Sequence, residues 1–106
     1  RRKSPEQTNS ALRIGPVTLD PASVSVTVNG ERVDIGQTEF RLLKFLMANP
    51  ERVFSRSQLL DKVWGDHVAI EERTVDVHVL RLRKALKEAE SLIRTVRSVG
   101  YMLSEK

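Results

Sequence analysis

"RTVDVHVLRLRKALK", residues 73–87, decides the fold, because it supports two readings. Its first half alternates, with Val75, Val77 and Val79 separated by Asp76 and His78, the period-2 pattern of a half-buried strand. Its second half, from Leu82 to Leu86, runs at helical spacing. On a helical wheel, Val75, Val79, Leu82 and Leu86 fall within roughly 60° of one another, one apolar stripe. As a strand, Leu80, Leu82 and Leu86 would share no face with the three valines, and the segment outruns an ordinary strand. Glu71 and Glu72 at the start, with Arg83, Lys84 and Lys87 near the end, suit the helix dipole. The spacing therefore predicts a helix over residues 71–88.

The opposite face of that helix carries Arg73, Val77, Leu80, Arg81 and Lys84, with Thr74 and Asp76 on its flanks. Scattered exposed apolar residues are ordinary. A helix that enters the major groove of DNA uses this same mixture: arginine reaches guanine edges or phosphates, and short apolar groups touch thymine methyls.

Upstream, "LRIGPVTLD" reads as two short strands broken at Gly15-Pro16. In "VSVTVNGERVDI" two alternating runs flank Asn29-Gly30, the pair that best supports a type I′ hairpin. Residues 12–35 should form a small antiparallel sheet. "QTEFRLLKFLMANP" then switches to helical spacing, with Phe40, Leu43, Leu46 and Met47 on one face, Leu42 and Phe45 widening it, Thr38 as N-cap and Asn49-Pro50 as the stop. In "VFSRSQLLDKVWG" Ser55 and Gln58 fit a capping box, Leu59, Leu60 and Val63 supply a core face, and Gly65 ends the helix. Downstream, "LIRTVRSVGYML" alternates again around Ser98-Val99-Gly100, a second hairpin. Residues 1–11 are polar with nothing to bury and read as a linker or arm, which suggests a domain cut from something longer. The remainder, residues 12–106, is one domain.

Composition narrows the function. The 106 residues contain no cysteine, which excludes disulfides and thiolate metal sites, and the net charge is +4. Residues 73–97 hold seven basic and three acidic side chains, a stripe that suits a polyanion. No apolar run reaches the roughly 18 residues that span a bilayer. The chain reads as soluble and cytoplasmic, with no membrane partner. Asp66, His67, Glu71 and Glu72 contain one His and no rigid ligand pair, so no metal and no cofactor are expected. Ser55 serves better as a cap than as a nucleophile, so no enzyme is expected.

Sheet, two helices, a basic third helix and a hairpin bearing Arg94 and Arg97 make a winged helix-turn-helix of the α+β class. The words "TEFRLLKFLMANPERVFSRSQLL", "VWG", "RTVDVHVLRLRKAL" and "IRTVRSVGY" closely resemble the C-terminal effector domain of OmpR/PhoB-type response regulators. The resemblance runs from Leu12 to Leu103, and within the family it is greatest for the phosphate-regulon activators, although many paralogues share these words. It implies a four-stranded N-terminal sheet, three helices and a C-terminal β-hairpin wing. It implies tandem homodimer binding to direct repeats on double-stranded DNA, and in the full-length protein a receiver domain served by a sensor kinase. It gives bases to Thr74, Asp76, Val77 and Arg81, and phosphates to Arg73, His78 and Arg83, helped by Arg56, Trp64, Thr95 and Tyr101. Arg97 would enter the minor groove. Gly65, Asp66, His67, Val68, Ala69 and Ile70 match the loop that meets RNA polymerase through its sigma subunit. The chain departs from the family pattern at Leu80, where Arg is usual, at Ser98, where Gly is common, and at Met102-Leu103, where an aromatic ending is usual.

Plainer roles stand beside these. Trp64 and Tyr101 can pack as core, and His78 can be structural. Asp76 can bridge Arg73 or Arg83 rather than accept from cytosine. A winged helix that docks on protein would want an apolar or acidic third-helix face and no Arg97; the sequence has the reverse.

Overall fold

The computed structural model describes residues 11–65 and 71–105. Four short strands open the chain: β1 (Leu12–Ile14), β2 (Val17–Asp20), β3 (Ser25–Val28) and β4 (Glu31–Arg32), antiparallel in the order β1-β2-β3-β4. The register sets Leu12 opposite Leu19 and Val17 opposite Val28. Alternation therefore puts Val17, Leu19, Val26 and Val28 on one buried face. Asn29 (φ 54°) and Gly30 (φ 83°) are both left-handed, as the predicted type I′ turn requires.

Helix α1 spans Gln37–Ala48 and buries Phe40, Leu42, Leu43, Leu46 and Met47. Its N-cap is Gly36, not Thr38, which lies inside the first turn. The first helical bond runs from the Phe40 amide to the Gly36 carbonyl, 2.8 Å, and no side chain caps this end. The far end follows expectation: Asn49 donates its side-chain amide to the Phe45 carbonyl at 2.9 Å.

Strand β5 is only Phe54–Ser55, and α2 (Arg56–Leu59) follows at once. The predicted capping box is present: Ser55 Oγ accepts from the Gln58 amide at 3.1 Å, and Gln58 Oε1 accepts from the Ser55 amide at 2.8 Å. The helix then widens into a π-helical turn, Leu60–Trp64, closed by the Gly65 amide on the Leu60 carbonyl at 2.8 Å. Gly65 has φ 99°, a conformation a side chain would strain.

Helix α3 is Arg73–Leu86, shorter at both ends than the predicted 71–88. Lys87, at φ 56°, leaves the helical region, and Lys87–Leu92 continues as a 3₁₀ helix. The predicted core stripe is the buried one: Val75, Val79, Leu82 and Leu86. The hairpin β6 (Ile93–Val96) and β7 (Gly100–Leu103) turns at residues 97–99. β5 adds itself to this hairpin, giving the order β5-β7-β6. Sequence reading missed β5, because two residues carry no alternation to detect. One core joins the faces of both sheets to all three helices. This is the α+β winged helix-turn-helix expected, with four-stranded sheet, three helices and hairpin wing. No described helix is long and apolar enough to cross a membrane.

Candidate DNA interface

Because the apolar stripe of α3 faces the core, the helix must present its other side to solvent. Arg73, Val77, Leu80, Arg81 and Lys84 are all exposed. Val77 is 46% and Leu80 54% exposed, so two apolar side chains stand in water among cations. Arg73 holds Glu71 at 2.8 Å with both side chains largely in solvent. Arg81 and Lys84 border a cleft with Asp34, Gly36, Glu39 and Lys87. Thr74 is half-buried at the helix start, and Arg97 is exposed on the wing turn.

The remaining site residues are engaged within the domain. Asp76 pairs with neither Arg73 nor Arg83, the partners the sequence offered. Its Oδ1 accepts from Arg56 Nε at 2.7 Å and from the Tyr101 hydroxyl. Burial pushes the Asp76 carboxyl up, but these two hydrogen bonds and the Arg56 charge outweigh it, so its pKa lies below the ordinary value. The same hydrogen bond and charge raise Arg56. Burial, then the Asp76 hydrogen bond, raises Tyr101. Tyr101 is buried, only 6% exposed.

Arg83 turns toward the wing. Its Nε and Nη2 donate to the Ile93 carbonyl at 3.1 and 2.9 Å, and Nη2 also to Thr95 Oγ1 at 2.7 Å. Its guanidinium lies 5.9 Å from the Tyr101 ring centre. His78 shares a hydrogen bond with Glu39 of α1, and its ring lies 5.4 Å from that of half-buried Trp64. Sequence reading overlooked Glu39. A buried carboxylate needs a partner, and the available signal was its position four residues before Leu43, on the core face. Of the residues expected to meet polymerase, Gly65 is described; Asp66, His67, Val68, Ala69 and Ile70 lie outside the described residues, as does the predicted linker apart from Ala11.

The arrangement offers a basic, partly apolar helix face beside a hairpin tipped with arginine. The family model described as "Transcriptional regulatory protein, C terminal" matches residues 30–103. The phosphate regulon transcriptional regulatory protein PhoB of Pseudomonas aeruginosa is 50% identical over 107 residues, covering 100% of this chain and 47% of that protein. The chain thus spans about half the length of the curated relatives it matches. The DNA-binding domain of Klebsiella pneumoniae RstA, solved in complex with the RstA box, superposes with TM-score 0.79 at 31% identity, covering 90% of this chain and 97% of that one. Response regulator DrrB of Thermotoga maritima, an OmpR/PhoB homolog, superposes with TM-score 0.78 at 31% identity over 89% of this chain and 44% of that one. A basic third helix, an adjoining wing and these likenesses make the chain a member of the OmpR/PhoB response-regulator family, a C-terminal DNA-binding domain of a transcription regulator and not an enzyme.

Proposed function

We propose that this domain is the DNA-reading half of a phosphate-regulon activator that binds in tandem to direct-repeat half-sites about one helical turn apart. The observation that carries the reading is the solvent face of α3. It is basic, and it keeps Val77 uncovered at 46% where a groove-binding helix has use for it. α3 lies in the major groove, with Thr74, Val77 and Arg81 toward bases. Arg73, and Arg56 through the guanidinium donors that Asp76 does not occupy, hold phosphates. Arg97 enters the minor groove from the wing. His78, Arg83, Thr95 and Tyr101 have polar atoms turned to partners inside the domain, so their contribution to binding is to fix the shape that DNA meets. Residues 65–70 meet the sigma subunit of RNA polymerase. Residues 1–11 link to a receiver domain phosphorylated by a sensor kinase, and the protein acts in the cytoplasm. The half-length match to PhoB proteins supports this placement.

The test is a fluorescence-anisotropy titration on a phosphate-box-like direct-repeat duplex and on a scrambled one, at several salt concentrations. Tighter binding to the repeat is expected, with a linear fall of log affinity against log salt of about 0.9 per phosphate neutralised. Equal affinity on both duplexes would overturn the phosphate-regulon assignment. No binding to either at low salt would point to a protein-docking module.

A further inference from the structure

The wing is weakly held by its own backbone. Among the described residues β6 pairs with β7 alone, and β7 is tied on its other side by Phe54 and Ser55 of β5 and by one bond from the Glu51 amide to the Leu103 carbonyl, 2.8 Å. A two-stranded hairpin is marginal alone. We propose that Asp76, Arg83 and Tyr101 are positioning residues forming a brace that locks the wing to α3, so that Arg81 and Arg97 meet one duplex in register. This rests on the minor-groove reading of Arg97 above.

Asp76 and Arg83 are seven residues apart, so they share one face of α3 about two turns, or roughly 10 Å, apart. Asp76 reaches β7 through the Tyr101 hydroxyl. Arg83 reaches β6 at the Ile93 carbonyl and Thr95 Oγ1. Buried Ile93 and Leu103 seat the base of the hairpin in the core, and the two attachments, one to each strand, add a fixed direction to that position. Arg56 of α2 bonds the same Asp76 oxygen as Tyr101, so α2, α3 and the wing converge on one carboxylate. The Tyr101 ring is buried and sits under the Arg83 guanidinium, which ties the two attachments to each other. These residues matter to DNA through the angle they impose, not through a base or phosphate of their own.

A double-mutant cycle separates this role from direct contact. The domain as wild type, Tyr101→Phe, Arg97→Ala and the double variant is titrated on the direct-repeat duplex, with thermal melting to confirm folding and hydrogen exchange read over residues 93–103. Tyr101→Phe keeps the ring and removes the hydroxyl. It is expected to weaken binding about 3- to 10-fold when Arg97 is present, and less than about twofold when it is not, with faster exchange in the wing. Losses that multiply independently would overturn the brace and return Tyr101 to direct backbone contact, while leaving the minor-groove reading intact. Arg97→Ala with no effect by itself would overturn the minor-groove reading and the register claim with it. Asp76→Ala, which removes the oxygen that accepts from Tyr101 and Arg56, is the second variant. It should show the same dependence on Arg97 and no change in base preference; a preference switched at one base pair, without that dependence, would make Asp76 a base reader and overturn the proposal.

Discussion

Gly100 opens β7 opposite Ser55. A Cβ placed on it would lie 2.8 Å from Ser55 Cα and closer still to the Phe54 carbonyl. Both neighbours are backbone and cannot rotate aside, so Gly100→Ala must push β5 and β7 apart. Overpacking of this kind costs about 1–3 kcal/mol, and each ladder hydrogen bond lost adds about 0.5–1.5 kcal/mol. The expected total is about 2–4 kcal/mol, which for a domain of this size lowers Tm by roughly 10–25 °C. Ser55 also caps α2, so the displacement reaches the capping box and the seat of Arg56. Thermal unfolding followed by far-ultraviolet circular dichroism measures the loss. Val99→Ala in the adjacent turn is the comparison: its side chain is 54% exposed and should leave Tm nearly unchanged. A Gly100→Ala domain that melts within about 3 °C of wild type would refute the steric argument.

Arg81→Ala should cost about 1–3 kcal/mol on the direct repeat and much less on scrambled DNA; equal losses in anisotropy titrations would remove Arg81 from base reading. Leu82→Ala empties a fully buried position on the core face of α3 and should destabilise the domain by about 2–5 kcal/mol in urea unfolding. Ser55→Ala removes one half of the capping box and should cost about 1 kcal/mol in the same measurement. The folded-state pKa of Asp76 lies below its ordinary value, so its ion pair contributes stability above about pH 4 and loses it as pH falls through the folded value. Urea midpoints taken downward from neutral pH should therefore drop less steeply below about pH 4 in Asp76→Asn than in wild type, and identical slopes would remove Asp76 from the acid response.

The sequence determined the elements wherever a pattern repeated over enough residues. Four residues at helical spacing fixed the inward face of α3 and, by exclusion, the outward face with Arg73, Val77 and Arg81. Asn29-Gly30 fixed a turn because only left-handed residues close it, and Ser55 with Gln58 fixed the start of α2. Local chemistry was enough because the turn and the cap are settled within about one turn of chain and the α3 stripe within one continuous segment. Tertiary structure decided the rest. Which end of Gly36-Gln37-Thr38 caps α1 depends on how the chain leaves β4. Which cation Asp76 takes depends on packing that brings Arg56 and Tyr101, 20 and 25 residues away in sequence, to one oxygen. Both nearby candidates from the sequence, Arg73 and Arg83, were drawn elsewhere, one to Glu71 and the other to the wing. Long flexible side chains choose among partners by three-dimensional proximity, and a burial pattern along the chain does not encode that choice.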